Sequence, residues 1–235
     1  MKRTHLNGTI LTMLVIGTLM VPVNLNAQEE EKSSPFDVGG DLVSSYLWRG
    51  TKFGTGPAIQ PYLSFAVGGF EIGGWGSYCF TTNEAAEADL YVSYGFDFGL
   101  SIGMTDYYFP GTPYFDYSTE SGSHAFEVNL GYEIGGLSIG ANMFLNEAGG
   151  AGTAGQDLYF ELGYGFKHFG VFVGGGNGWH TVEADADESD FMICNIGVTA
   201  SKEINITEKF ALPVSGSLIL NPDTEQFHVV IGVSF

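Results

Sequence analysis

Positive charge is what this 235-residue chain has least of: eight Lys and Arg stand against 27 Asp and Glu, a formal net charge of −19. Lys2 and Arg3 lie at the extreme N-terminus, so beyond residue 27 six basic residues face all 27 acidic ones and the charge becomes −21. Nucleic acid binds proteins largely through Lys and Arg at its phosphates, so it is excluded as a partner, and an anionic lipid surface is a poor one. Long apolar runs are missing as well. After residue 27 no stretch reaches the roughly 18 apolar residues that a membrane helix needs. Cysteine is reduced to Cys79 and Cys194, too few for a disulfide framework. Strand alternation puts Cys79 on a polar face and Cys194 on an apolar one, so the two read as unpaired small residues. No catalytic signature stands out either, and neither an enzymatic activity nor a cofactor is expected.

The N-terminus has the order of a secretory signal peptide: the basic Lys2 and Arg3, the apolar "ILTMLVIGTLMVPV", then "NLNA" ending on the small Ala27. The apolar run falls short of a full span and no basic stop-transfer cluster follows, which disfavours an anchor. No Cys lies near the cleavage point, which disfavours a lipoprotein. Residues 1–27 therefore read as a cleaved signal, 28–35 as an acidic periplasmic spacer, and 36–235 as one all-β domain.

What the chain does have is glycine, aromatics and a repeated turn. "GFEIG" (69–73), "GLSIG" (99–103), "GLSIG" (136–140) and "GVFVG" (170–174) recur at intervals of 30 to 37 residues, each after a strand-like run. Glycine permits the tight reversal of a hairpin, so the period is that of a hairpin plus its loop. Period-two runs predict about twelve strands, near 37–49, 57–68, 70–80, 88–98, 100–109, 124–135, 137–146, 157–168, 170–180, 190–204, 209–220 and 226–235. Minimal turns alternate with long polar loops such as "GTPYFDYSTESGS" and "TVEADADES". That is the layout of an up-and-down outer-membrane β-barrel with both termini in the periplasm.

Face parity agrees. The sixth predicted strand sets Phe126, Val128, Leu130, Tyr132 and Ile134 against Glu127, Asn129, Gly131 and Glu133. A soluble β-sandwich would alternate too. Its exposed face, however, is usually rich in Lys and Thr, whereas this polar face is Gly, Ser, Asn and carboxylates. Aromatics also gather at strand ends: Tyr46, Trp48, Tyr78, Phe80, Tyr108 and Trp179 toward the long loops, and Phe70, Phe96, Phe166, Phe210 and Phe235 toward the short turns. Two such belts suit the two membrane–water interfaces. Pro213 in the eleventh run suggests a bulge or a break in pairing.

The stretch "DLVSSYLWRGTKFGTGPAIQPYLSF", followed by "GFEIGGWGSY", resembles the opening of the Gcw_chp family of uncharacterised Gram-negative proteins. So does "EADLYVSYGFDFGLSIGMTDYYFPG". The resemblance spans about residues 37–147 and is most specific at Tyr46, Arg49, Gly50, Pro57, Ala58, Gln60, Trp75, Gly76 and Ser77. It implies an outer-membrane barrel and no established activity.

Parity points Asp41, Arg49, Glu71, Asp89, Asp97, Glu127, Glu133, Glu161 and Lys167 inward. Of these Asp41, Arg49, Glu127 and Glu161 are the candidates for lining a pore. Ionisable groups inside a barrel either line a wet pore or pair to close it. With mostly acidic lining, a narrow channel for cationic or neutral solutes is the first expectation. A non-conducting structural or surface-interaction barrel is the second. A barrel-embedded lipid hydrolase using His124 beside the serines of "SGSHAF" is the third. The acidic tip offers a weak calcium set, Asp185, Asp187, Glu188 and Asp190, but lacks the glycine of an EF-hand loop, so no metal is expected. The last run, "FHVVIGVSF", places Phe227, Val229, Ile231, Val233 and Phe235 on one face. It resembles the terminal signal read by the outer-membrane barrel assembly machinery, which together with outer-membrane lipid makes the expected partners.

Overall fold

The computed structural model describes residues 34–82, 85–182, 190–208 and 210–235. Twelve strands close into an antiparallel barrel in simple chain order. They are β1 (Phe36–Val43), β2 (Ala58–Val67), β3 (Phe70–Cys79), β4 (Glu87–Gly95), β5 (Leu100–Tyr108) and β6 (His124–Ile134). The second half comprises β7 (Leu137–Phe144), β8 (Leu158–Gly165), β9 (Gly170–Gly176), β10 (Met192–Thr207), β11 (Phe210–Asn221) and β12 (Gln226–Ser234). The expected signal and spacer, residues 1–33, lie outside the described residues apart from the last two positions of the spacer.

Alternation sorts the side chains as anticipated. Leu63, Ile72, Leu90, Leu130, Leu162 and Leu218 are exposed on the outer face, while Glu87, Asp89, Thr105, Glu127 and Asn129 are buried inside. An apolar outside and a polar inside invert a soluble core, and they suit a wall whose solvent is lipid. Closure spares the sheet an edge, and the short connections make closure cheap. Between β6 and β7 the turn is Gly135–Gly136, with φ of +58° and +89°. That is the two-residue hairpin turn whose twist matches the strands and whose conformation suits glycine.

Four expectations need correction. The first strand ends at Val43, not at 49, because the chain leaves the wall after Ser44 and turns into the bore. Tyr46, Trp48 and Trp179 accordingly do not join the outer aromatic belt: Tyr46 and Trp48 are buried inside the barrel, and Trp179 packs against Trp48 and Phe144. Cys194 also faces the interior. The register of β9 against β10 slips between Gly174 and Gly175, and that bulge makes Cys194 the extra residue and turns its thiol inward. Pro213 breaks nothing. It pairs with Glu203 in continuous register, and the irregularity in β10–β11 falls between Asn205 and Thr207.

Departure of the chain at Ser44 leaves a seam. β1 and β12 pair only at Asp41–Ser234, Leu42–Val233 and Val43–Gly232. Gly40 and Phe235 exchange N–H···O bonds of 3.0 Å below, and Ser44 donates to the Ile231 carbonyl at 2.8 Å above. Backbone groups of alternate residues point to the same neighbour, so those of Val229 and Phe227 face the place β1 has vacated. No strand lies beside them there among the described residues. Both side chains stand outward, 60% and 62% exposed.

Candidate functional site: a lumenal hairpin and the cavity below it

The segment that leaves the wall is itself a hairpin. Tyr46–Trp48 pairs with Thr51–Phe53, and the two residues between, Arg49 and Gly50, have φ of +50° and +83°. Positive φ at both central positions defines the type I′ turn. Glycine is needed at the second for another reason: a β-carbon on Gly50 would run into the carbonyl oxygen of Cys194. Gly50→Ala is therefore expected to destabilise the barrel by about 2–4 kcal/mol, combining left-handed strain and overpacking. A urea titration read by migration of unheated protein in SDS gels measures it.

Arg49 occupies the unusual left-handed conformation because its side chain is held on three sides. It grips Glu127 bidentately, with Nη1–Oε1 of 2.5 Å and Nη2–Oε2 of 2.9 Å. Its guanidinium lies 4.4 Å from the ring centres of both Trp48 and Tyr159. Glu127, with no exposed surface, also accepts hydrogen bonds from Tyr107 Oη at 3.0 Å and Asn129 Nδ2 at 2.7 Å. Around this ion pair Trp48 packs on Tyr107, Phe144, Trp179 and His180. Tyr46 donates to Glu87 at 3.1 Å and packs on Trp75. The long-loop half of the bore is filled.

The other half is not. On the short-turn side of the hairpin a cavity of about 180 Å³ is bounded by Leu47, Arg49 and Gly50 above and by β1, β2 and β8–β12 around. Asp41 and Glu161 border it. Asp41 accepts from Ser234 Oγ at 2.6 Å. Glu161 Oε2 accepts from Tyr159 Oη at 2.6 Å and Asn195 Nδ2 at 3.0 Å. Thus the four residues singled out for the pore separate into two groups: Arg49 and Glu127 meet as one buried pair, while Asp41 and Glu161 join Arg49 on the cavity wall.

Tyr107, Phe144, Tyr159 and Asn195 escape a reading based on charge. A signal for a filled bore does exist, since Tyr107 and Phe144 are large aromatics at inward positions on strands whose inner face is otherwise polar or small.

His124 lies on the outer face at the long-loop rim. Its Nδ1 is 2.9 Å from Asp106 Oδ1, its Nε2 meets the Tyr114 carbonyl, and its ring stacks on Tyr117. The nearby hydroxyls are engaged elsewhere: Ser123 donates to the Pro113 carbonyl, and Ser118 and Ser121 donate to Asp116. Those two serines, Ser118 first, hold the exposed Asp116 carboxyl below the usual carboxylate range. Cys79 and Cys194 are both free thiols. Asp185, Asp187 and Glu188 lie outside the described residues, Asp190 is exposed, and no group of three or more His, Cys, Asp or Glu is placed to hold a metal ion among the described residues.

Fold and bore together define a twelve-stranded β-barrel stoppered by its own first connection. A family model described as "bacterial protein of unknown function (Gcw_chp)" matches residues 29–212. The chain belongs to that family, and the match extends well past the residues 37–147 that carry the motifs. Among solved structures, the chain is similar to a "KdgM porin" at 10% identity and a TM-score of 0.44, over 84% of this chain and 97% of that one. It is also similar to a triple mutant of the Rhodopseudomonas blastica porin at 14% identity and a TM-score of 0.38. That match takes in 76% of this chain and 55% of the other. No curated protein matches the chain.

Proposed function

We propose that the protein is an outer-membrane channel for small cationic or neutral solutes, held shut by the hairpin Tyr46–Phe53 and opened when that hairpin returns to the wall. The apolar outer face supports residence in a membrane, as do exposed aromatics at both rims, among them Tyr78 and Phe80 at one end and Phe70, Phe96 and Phe235 at the other.

The seam carries the reading. Continuing the β1–β12 register beyond Ser44 sets Tyr46 opposite Val229 and Trp48 opposite Phe227, with both aromatics facing outward at the interface level. The N–H and C=O groups of Phe227 and Val229, which have no strand beside them among the described residues, would then be paired, and a backbone group without a partner is costly wherever water is scarce. Against this stands the loss of the Arg49–Glu127 pair, about 3–5 kcal/mol when one buried partner is left behind, and of Trp48 burial. These terms oppose one another, which is the basis for reading the hairpin as having two resting places. With the hairpin out, Glu127, Glu161 and Asp41 line the bore, and cations pass more easily than anions.

Planar-bilayer recordings test this. Arg49→Met is expected to raise open time at least tenfold over the unmodified protein. In a Cys79→Ser/Cys194→Ser background, oxidised Tyr46→Cys/Val229→Cys is expected to stay open, with a cation preference weakened by Glu161→Gln. The burial of Arg49–Glu127 favours a second reading, a non-conducting barrel with a permanent stopper. Absence of discrete steps from all of these proteins would decide for it.

A further inference from the structure

The filled half of the bore buries two acids that take no part in the Arg49–Glu127 contact. Glu87 and Asp89 project inward from β4 and are 3% and 2% exposed. Glu87 accepts from Tyr46 Oη of the hairpin at 3.1 Å. As a carboxylate, Asp89 has no donor at either oxygen, and the Tyr108 amide near it is outside hydrogen-bond geometry. What Asp89 does reach is Glu87. Two carboxyl groups hydrogen-bond to each other only when one of them carries a proton. The pair therefore holds one proton while the hairpin is in place.

No free positive charge on the surrounding elements takes that proton's part. β3 sets Ser77 opposite Glu87 and Trp75 opposite Asp89. β5 brings Tyr107, whose hydroxyl is given to Glu127, and, from its outer face, Asp106, which bears on Asp89 with a further negative charge. On the hairpin, Arg49 is bound to Glu127 and Lys52 is exposed. Loss of the proton would set two like charges side by side away from water, which is costly for both. The hairpin is what covers them: Tyr46 caps Glu87 and packs on Trp75, the residue across from Asp89. Once it leaves the bore, water can hydrate both carboxylates.

We infer that Glu87 and Asp89 form a proton-binding lock on the hairpin: one shared proton keeps the stopper in the bore, and its loss to solvent releases it. The closed barrel binds one proton more than the open one. Acid therefore favours closure, and each rise of one pH unit moves the balance toward opening by up to about tenfold. The lock rests on the channel reading, whose regulation it names, but release of the hairpin can be measured without conduction.

Hydrogen–deuterium exchange of residues 45–53 in the intact protein in detergent micelles tests it. Asp89→Asn is the reference at each pH, since its amide donates to Glu87 permanently and comparison at one pH cancels the intrinsic pH dependence of exchange. Exchange in the unmodified protein is expected to match the variant at pH 5 and to exceed it at least tenfold at pH 9. In planar bilayers over the same range, open time should rise at least tenfold in the unmodified protein and stay level in the variant. Glu87→Gln, which donates to Asp89 in the same way, serves if Asp89→Asn lacks the heat-modifiable migration of a folded barrel. An exchange ratio that is the same at pH 5 and pH 9 overturns the lock, whatever the conductance. Discrete steps with a constant ratio defeat the lock alone; a ratio that rises with pH in a barrel without steps supports the lock and defeats the channel reading alone.

Discussion

Glu127→Ala is expected to cost the barrel about 3–5 kcal/mol, because it strands a buried guanidinium with no counter-charge. Three donors lose their acceptor at once: Arg49, Tyr107 and Asn129. The same reasoning predicts recovery. An Arg49→Met/Glu127→Leu double variant removes both charges and keeps the volume, and hydrophobic replacement of a buried ion pair is often neutral or better. A double-mutant cycle on urea midpoints, read by unheated gel migration, should therefore show a coupling of 1 kcal/mol or more between these positions. A Glu127→Ala loss under about 1 kcal/mol has two meanings that conductance separates. With raised conductance, the hairpin has left the bore and taken its charge to water. With unchanged conductance, Arg49 was never dependent on Glu127.

Trp48→Ala is the second large effect, again about 3–5 kcal/mol. The indole is 4% exposed and central to the aromatic cluster, so its loss removes the transfer energy of a large ring and leaves a void that neighbours on β5 and β7 cannot close. It also takes away one of the two faces against which Arg49 rests, worth a further 0.5–2 kcal/mol. Trp48→Phe keeps most of the packing and should fall below half of the alanine cost. Tyr78→Ala provides the contrast: Tyr78 is 44% exposed on the outer wall, and its loss should leave the bore and its conductance unchanged. Equal destabilisation by Trp48→Ala and Tyr78→Ala would mean that Trp48 is not packed inside.

Most of the wall was legible because a barrel strand has one job, apolar out and polar in, and glycine marks where it reverses. Predicted and observed strands agree within three residues at each end from β2 to β12, apart from β9, which stops at Gly176 and not at 180. The failures share a cause. Period-two alternation through Ser44, Tyr46 and Trp48 is the pattern of a wall strand and equally of a hairpin arm, so it cannot say whether the chain stays in the sheet. The Arg49–Gly50 dipeptide was the available cue, since a glycine after a strand marks a turn. Parity put both Arg49 and Glu127 inside, but it assigns a face, neither a height nor a partner across the bore, and the 78 residues between them hide the pairing. Cys194 was misplaced because a bulge inverts parity beyond it, and the lack of a described strand beside Phe227 and Val229 follows from where β1 departs.

The placement of the hairpin directly after β1 also bears on how the barrel is made. Every other neighbouring pair of strands is joined by one connection, whereas the bond from Ser234 to Asp41 spans 193 residues, so the β1–β12 junction is the step with the greatest loss of chain entropy and the natural last event in folding. The stopper hangs from the strand that performs this step. During folding it can enter an open-sided sheet before the ends meet, and once they have met its way between bore and wall is the place beside Phe227 and Val229 that β1 leaves vacant. Arg49 finding Glu127 thus tethers β1 to the far wall, and shortens the search by which the two ends of the chain find each other.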